Sequence, residues 1–197
     1  MERSTRWIES TISLLTMTIW TIQEESFLDE LKRNGVVRRC LSNVGDEFRA
    51  EYRWMVGEMR SRGISIDPST TPFWGWRSYD SANSCRPDLS DEILLEKGTK
   101  GVCLKLDVPA NLVLLSQFEM WVWILNDWYI PFDEVGQIEA EKRVATEAEK
   151  LRSWRRIFEL KWGAESFWKP FDQRGIQATI PRLEYSWVEE VECFLSN

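Results

Sequence analysis

The chain has 197 residues, with 32 acidic and 25 basic side chains, a net charge of −7 and no histidine. The acidic balance argues against an extended nucleic-acid-binding surface. The lack of histidine excludes Ser-His-Asp and Cys-His catalysis and histidine-ligated zinc or haem. The four cysteines show no Cys-x-x-Cys spacing, so we expect no metal site.

The most apolar stretch of the sequence is residues 112–129, which contains Glu119 and Asp127. It is too short and too polar to span a bilayer. The N-terminal residues are rich in Thr and Ser and lack a small-residue cleavage site, so they make a poor signal peptide. We therefore expect a reduced, cytoplasmic protein with no membrane association. Residues 1–16 are predicted to be a disordered extension, and residues 17–197 a single α+β domain.

The first third of the domain predicts a strand and two helices. Residues 18–23 (TIWTIQ) are β-branched and aromatic, which favours a strand. A helix follows and ends at Gly35; its predicted apolar stripe is Phe27, Leu28 and Leu31. From Asp46 to Gly63 the apolar side chains recur at helical spacing, which predicts the second helix.

Residues 63–101 are rich in Ser, Pro, Gly and Asp and are predicted to be a long irregular segment. Trp74 and Trp76 within it allow two interpretations. The indoles could anchor the segment on the core, or they could form a stacking wall for a nucleobase or nicotinamide, with Arg77 reaching a phosphate or carboxylate. If the segment is extended, both indoles share one face and Arg77 lies on the other.

The second half predicts two strands and then a helix. Residues 101–109 alternate apolar and polar side chains, which indicates a half-buried strand, and residues 112–115 form a short apolar strand. Ser116 and Glu119 have the spacing of a capping box. The helix that follows is predicted to bury four side chains: Phe118, Trp121, Val122 and Leu125.

The remaining residues complete an α+β pattern. Residues 133–161 are charged and favour a helix, residues 175–180 read as a strand, and residues 188–194 alternate like a closing strand. Pro181 is predicted to begin a short helix. The predicted fold is a single compact α+β domain, with a small mixed or antiparallel sheet and three to four helices.

The sequence contains basic and acidic clusters. The basic groups, Arg38–Arg39 and Arg152 with Arg155 and Arg156, are typical of solvated helix ends. Near the C-terminus the carboxylates could form an exposed acidic edge that limits aggregation. One of them could instead lie beside a sugar and stabilise an oxocarbenium-like centre. These carboxylates are Glu184, Glu189, Glu190 and Glu192.

Several segments, in this order, resemble the bacterial and phage family described as domain of unknown function 3841. The resemblance extends over residues 17 to 195, and it implies no established activity. It rests on TIWTIQ, FWGW, EKGTKGVCLKLDVP, LLSQFEMWVWILNDWYIP, SWRRIFEL and GIQATIPRLEYSWVEEVECF.

The order of segments also resembles the ADP-ribosyltransferase fold, especially its DNA-modifying branch. In that superfamily the first strand carries a His or Arg against the NAD ribose, and Thr21 and Gln23 occupy the comparable place. A catalytic Glu commonly follows the Gln-Ala of the late strand. Here that position is Thr179, and the nearest Glu is Glu184. The resemblance therefore implies a diverged site, or a fold kept without catalysis.

Two functional hypotheses follow. The first is an ADP-ribosyltransferase-like domain that binds NAD, its substrate, or a related nucleotide, with Glu184 as the catalytic carboxylate. Its predicted cofactor-binding residues are Trp20, Thr21, Gln23, Trp74 and Trp76. The second hypothesis is a protein-interaction module, in phage–host conflict, that uses exposed aromatic side chains.

Overall fold

The fold is organised by antiparallel strand pairs within residues 15–79 and 85–197, which the computed structural model describes. The strands are β1 (Thr16–Glu24), β2 (Val36–Val37), β3 (Arg39–Cys40), β4 (Thr70–Thr71), β5 (Phe73–Ser78), β6 (Lys100–Pro109), β7 (Leu114–Gln117), β8 (Ile176–Ile180), β9 (Leu183–Glu184) and β10 (Val188–Leu195). The helices are α1 (Glu25–Asn34), α2 (Arg49–Ser61), α3 (Phe118–Leu125), α4 (Glu134–Arg143) and α5 (Glu147–Trp154).

The main sheet has six strands in the order β10-β6-β1-β5-β8-β7, and two small sheets pair β2 with β9 and β3 with β4. The described pairs are all antiparallel. The prediction of a single α+β domain with a small antiparallel sheet is confirmed. The described residues form five α-helices rather than three to four, because the charged run of residues 133–161 divides into α4 and α5.

Helices pack on the sheet through two apolar cores. In the first, the stripe of α1, including Leu31, packs against sheet residues such as Leu104 and Ile180. In the second, Met55 of α2 and Trp121 of α3 pack together. Each fully buried large side chain of this kind contributes about 1.5–3 kcal/mol to stability. The two cores fix the positions of the strands and of the loops between them.

The helix predicted after the first strand is confirmed in detail. Phe27, Leu28 and Leu31 are its buried side chains. Gly35 ends the helix with a φ of 71°, a conformation that glycine adopts without strain, and its N–H donates to the Leu31 carbonyl at 2.9 Å. The strand before it begins at Thr16, two residues earlier than predicted. Residues 1–14 of the predicted extension lie outside the described residues.

The prediction of an irregular segment is wrong for residues 73–78, which form β5 between β1 and β8. Trp20 of β1 lies opposite Trp76 of β5. Gly75 fits here because β1 passes very close: a Cβ at Gly75 would lie 2.8 Å from the Trp20 carbonyl oxygen. The glycine that suggested a turn therefore marks a close approach of two strands.

The predicted capping box at Ser116 and Glu119 is wrong. Ser116 lies in β7, and α3 begins at Phe118 without a side-chain cap. A capping box forms instead at the start of α5, between Thr146 and Glu149. The side chains buried by α3 also differ from the prediction; they are Met120, Trp121 and Ile124.

The segment after Ile180 also differs from the prediction. Instead of a helix beginning at Pro181, the chain forms the short strand β9, which pairs with β2. One turn of 3-10 helix, Tyr185–Trp187, then leads into β10. The closing strand itself is confirmed, and it pairs with β6 at one edge of the main sheet.

Candidate functional site

Two of the predicted cofactor-binding residues, Thr21 and Gln23, take part in a hydrogen-bond chain. The Thr21 hydroxyl donates to the Trp74 carbonyl at 2.7 Å and accepts from Gln23 Nε2 at 3.0 Å. Arg39 in turn donates to Gln23 Oε1 at 3.2 Å. Thr21 is almost fully buried, so its hydroxyl links β1 to β5.

The three predicted tryptophans project from the opposite face of the sheet to Thr21 and Gln23. Trp20 pairs with Trp76 across β1 and β5, and alternation along the strands places Trp74 on the same side. Because Gln23 lies three residues from Trp20, it points the other way. The structure therefore brings the five residues onto neighbouring strands but divides them between two faces.

Trp74 faces the apolar core. Its ring lies 4.7 Å from that of Trp121 and 6.0 Å from that of Tyr52. Burial raises the pKa of Tyr52. Trp74 Nε1 has no hydrogen-bond partner among the described residues. This packing supports the interpretation in which the indole anchors its segment on the core.

Trp76 and Trp20 are partly buried by other side chains. The Trp76 ring contacts Tyr79 and Phe118 edge-on, each with centroids 4.8 Å apart. Trp20 lies near two cations, with the Arg86 guanidinium 5.6 Å and the Lys105 ammonium 5.9 Å from its ring centre. These contacts leave neither indole as an open stacking wall.

Glu184, the predicted catalytic residue, belongs to the small β2–β9 sheet rather than to the main sheet. Its carboxylate accepts from Arg182 Nε at 2.6 Å. Thr179, at the position where the resemblance expects a Glu, is fully buried and donates to the Leu114 carbonyl at 3.1 Å. The carboxylate and the tryptophans are thus held by separate sheets.

Gln23 lines a cavity of about 400 Å³ beside the N-terminus of α1. Arg39 also lines it, and its guanidinium lies over the Phe27 ring at 5.1 Å. Two carboxylates, Glu24 and Glu30, share this cavity with that one cation. The excess of negative charge makes the cavity a poor host for a phosphate.

A second cavity, of about 270 Å³, combines arginines with aromatic rings and lies along α5. Three guanidinium groups and one carboxylate line it, which gives a local positive surplus in an acidic chain. We call it the arginine cavity. It is lined by Tyr129, Ile130, Phe132, Arg143, Glu149, Arg152, Ser153, Arg156 and Trp162.

The three arginines differ in how they are paired. Arg143 donates to Glu149 at 2.8 Å, and Arg156 donates to Glu159 at 2.7 Å and lies over the Trp162 ring at 5.5 Å. Arg152 has no ion-pair partner in the described part of the chain. Its charge is therefore available to an anion that enters the cavity.

Glu149 is fixed in its charged form. The Thr146 backbone N–H and then the Arg143 guanidinium lower the pKa of Glu149 to about 2. This carboxylate closes the capping box at the start of α5 and holds Arg143 at the cavity wall. Its oxygen atoms accept hydrogen bonds from Arg143 and Thr146, and it forms no ion pair with Arg152.

A larger cavity, of about 480 Å³, lies under α4 and shares Tyr129 with the arginine cavity. We call it the aromatic cavity. Lys150 lies at its wall, where it donates to Asp127 at 2.5 Å and contacts Glu147 at 2.7 Å. The cavity is lined by Trp123, Asp127, Trp128, Tyr129, Gln137, Ala140, Glu141, Val144, Ala145 and Lys150.

Hydrogen bonds hold residues 127–132, between the two cavities, against α5. Trp154 Nε1 donates to the Trp128 carbonyl at 2.7 Å, and the Ile130 N–H donates to Ser153 Oγ at 2.9 Å. Val144, in the link from α4 to α5, has a φ of 52°. Such a value is an outlier for a β-branched residue, and strain of this kind concentrates at functional sites.

A buried arginine positions the Trp162 wall of the arginine cavity. Arg174 is 2% exposed and donates to the Trp162 carbonyl at 2.5 Å, to the Lys169 carbonyl at 2.6 Å and to Gln117 Oε1 at 2.8 Å. Gln117 Nε2 donates in turn to the Glu159 carbonyl at 2.8 Å. Together these bonds fix the loop that carries Trp162 and the partner of Arg156.

The prediction that Arg152, Arg155 and Arg156 are solvated is confirmed, since all three are exposed. Nothing in the sequence indicated that a cavity joins Arg152 and Arg156. Their spacing of four residues places them on one side of α5 and its 3-10 extension. The pairing of Arg156 with the Trp162 ring could have been suspected from their closeness in sequence. Tyr129 carried no signal, because its place depends on residues 127–132 folding onto α5.

In the described part of the chain, no group of three or more Cys, Asp or Glu side chains could hold a metal ion. No α-helix in residues 15–79 and 85–197 has both the length and the apolar character needed to cross a membrane.

Comparison with known proteins identifies the family of the chain. The profile described as Domain of unknown function (DUF3841) matches residues 18–150. No curated protein matches the chain, and no solved structure does. The match covers more than half of the 197 residues and includes all residues that line the aromatic cavity. The chain therefore belongs to the DUF3841 family of domains of unknown function.

Proposed function

We propose that this protein binds a nucleotide-class ligand, with a planar ring system and a phosphate, in the two cavities that meet at Tyr129. One observation carries the proposal: Arg152, without an ion-pair partner among the described residues, lines a cavity with Arg143, Arg156 and the Trp162 ring. NAD and ADP-ribose are the first ligands to test, because they combine both chemical features.

The chemistry of the two cavities is complementary. A guanidinium group presents a planar fork of donors that matches phosphate oxygens, and such charge-assisted bonds are the strongest that side chains offer. The aromatic cavity has the volume of a small-molecule site and offers Trp123, Trp128 and Tyr129 to a flat ring. Because Tyr129 lines both cavities, a ligand seated against it contacts both kinds of wall.

The predicted site on β1 and β5 is less well suited to this ligand. Trp74 is partly buried and packs against the core, and Gln23 lines a cavity with an excess of carboxylates. We therefore place the nucleotide at Tyr129, and not between Trp20, Trp74 and Trp76. The role of Trp74 and Trp76 in a protein interface stays a prediction, because it requires both indoles to be exposed.

ADP-ribose transfer by Glu184 is a separate prediction. Glu184 is ion-paired with Arg182 and lies in the β2–β9 sheet. We propose that nucleotide binding does not require it. Transfer of label from NAD to DNA, RNA or protein, measured for the wild type and for Glu184→Gln, is the test. Label transfer that the variant loses would support Glu184 as the catalytic residue.

The binding proposal is tested by calorimetric titration with NAD, ADP-ribose, AMP and inorganic phosphate. For Arg152→Ala we expect the affinity for ADP-ribose to fall about tenfold or more, because a charge-assisted hydrogen bond contributes about 1.5–3 kcal/mol. Arg53→Ala, at an exposed position of α2, removes the same charge elsewhere and is the matched control. Its affinity should equal that of the wild type.

The titration has two outcomes that contradict the proposal. The first is no heat of binding for any of the ligands at millimolar concentration. The second is an equal loss of affinity in Arg152→Ala and Arg53→Ala, which would mean that only net charge matters. Binding of inorganic phosphate alone would support the arginine cavity but not the aromatic one.

A further inference from the structure

Helix α4 is poorly supported by the rest of the protein. It has ten residues, of which only Ala140 is buried, and the aromatic cavity lies beneath it. Isolated helices of this length are marginal in water, and helices in proteins are stabilised mainly by the packing of an apolar face. Ala140 alone provides little such packing, so α4 gains stability from any surface that covers its outer side.

The outer side of α4 is apolar at its centre. Val135 is 62% exposed and Ile138 is 42% exposed. Large apolar side chains next to the helix are exposed as well, namely Trp128 and Phe132 before it and Val144 after it. Trp128 and Val144 line the aromatic cavity beneath the helix, so Val135 and Ile138 are the exposed large apolar residues of α4 itself. Residues three apart on a helix are neighbours, so these two form one apolar patch, and exposed apolar patches mark interaction sites.

The two charged residues Glu134 and Lys142, which flank Ile138, are self-complementary. Glu134 and Lys142 lie four residues to either side of it, and at about 3.6 residues per turn both fall on its side of the helix. Neither has an ion-pair partner in the described part of the chain. We call Glu134, Val135, Ile138 and Lys142 the outer face of α4. If an identical helix crossed this face at Ile138 and ran in the opposite direction, its Lys142 would lie opposite Glu134.

We propose that the outer face of α4 binds the same face of a second copy of this chain, with the two helices antiparallel and related by a two-fold axis. In this arrangement Ile138 packs against Ile138 of the second copy, and each Glu134 lies opposite the other copy's Lys142. Two-fold dimers are the commonest protein assemblies, and their interfaces are self-complementary in this way. The inference goes beyond the proposed nucleotide binding and does not depend on it.

The test is sedimentation equilibrium over a wide range of protein concentration. We expect a reversible monomer–dimer equilibrium for the wild type and a monomer for Ile138→Glu, which adds charge at an exposed position and should fold normally. Glu134→Lys and Lys142→Glu should each weaken the dimer about tenfold, since each replaces two attractive pairs by two repulsive ones.

The double variant Glu134→Lys with Lys142→Glu is the decisive sample, because it restores both pairs with their signs exchanged. We expect its dimerisation constant to return close to the wild-type value. Asp29→Lys, on the exposed side of α1, is the matched control and should dimerise like the wild type. A wild type that stays monomeric at every concentration, or a double variant weaker than both single variants, would overturn the proposal.

Discussion

Replacing Gly75 by Ala tests how closely β1 and β5 approach. A Cβ at this position would lie 2.8 Å from the Trp20 carbonyl oxygen and 3.3 Å from Ile19 Cδ1. A carbon and a carbonyl oxygen in contact are normally about 3.3 Å or more apart. The strands must therefore separate, although the hydrogen bond from Thr21 to the Trp74 carbonyl resists this movement.

The expected cost follows from two opposing terms. Overpacking of a close-packed region costs about 1–3 kcal/mol. Alanine also restricts the backbone of the unfolded chain more than glycine does, which stabilises the folded state by about 0.4–1 kcal/mol. We expect Gly75→Ala to lower the free energy of unfolding by about 1–2 kcal/mol, which corresponds to a fall in Tm of about 3–6 °C for a chain of this size.

Gly57 provides a matched control for the same chemical change. It lies in α2 and is exposed, and nothing lies within 4 Å of a Cβ placed on it. Because alanine favours a helix over glycine, Gly57→Ala should raise stability by about 0.5–1 kcal/mol. Urea unfolding followed by circular dichroism measures both variants. Opposite signs are predicted, and a Gly75→Ala protein as stable as the wild type would refute the close approach.

Three further predictions concern side chains outside β5. Arg174→Met should destabilise the protein by about 3 kcal/mol, because buried acceptors lose their donor. Thermal unfolding measures this effect, and Arg33→Met, at an exposed position, is the control, for which we expect a change within about 0.5 kcal/mol. The wild type should be more stable than Glu149→Gln above pH 4.5, and this difference should vanish as the pH falls towards about 2, because the pKa of Glu149 is lowered in the folded state. Unfolding curves measured across this range check the prediction, and a difference in stability that does not change with pH would contradict it. Burial raises the pKa of Cys103 to about 11, so a thiol reagent at pH 8 should modify Cys103 only after the protein unfolds. The exposed Cys40 should react in the folded protein, and equal reaction rates for the two thiols would argue against the burial of Cys103.

The helices α1 and α2 could be predicted from the sequence because their signals are local. The stripe that includes Leu31 and the glycine that ends α1 lie within one turn of each other. The role of Gly75 could not be predicted in this way. Its cause is the carbonyl of Trp20, more than fifty residues earlier, and only the register of β1 against β5 brings the two together.

The candidate site could likewise be predicted only in part, because some of its contacts are local in sequence and others are not. The spacing of Arg152 and Arg156 on one helix side is visible in the sequence, but their value as a site depends on Tyr129. That residue reaches the cavity because the Ile130 N–H bonds to Ser153, a contact between distant segments. The predicted grouping of Gln23 with the tryptophans failed to form one surface because strand alternation divides them between two faces.

The most direct test of nucleotide binding at Tyr129 is the set of tryptophan indole N–H signals in an NMR titration with ADP-ribose. We predict that the signals of Trp128 and Trp162, at the walls of the two cavities, shift with increasing ligand, whereas those of Trp20 and Trp74 do not. Shifts confined to Trp20 and Trp74, or no shift at millimolar ligand, would contradict it.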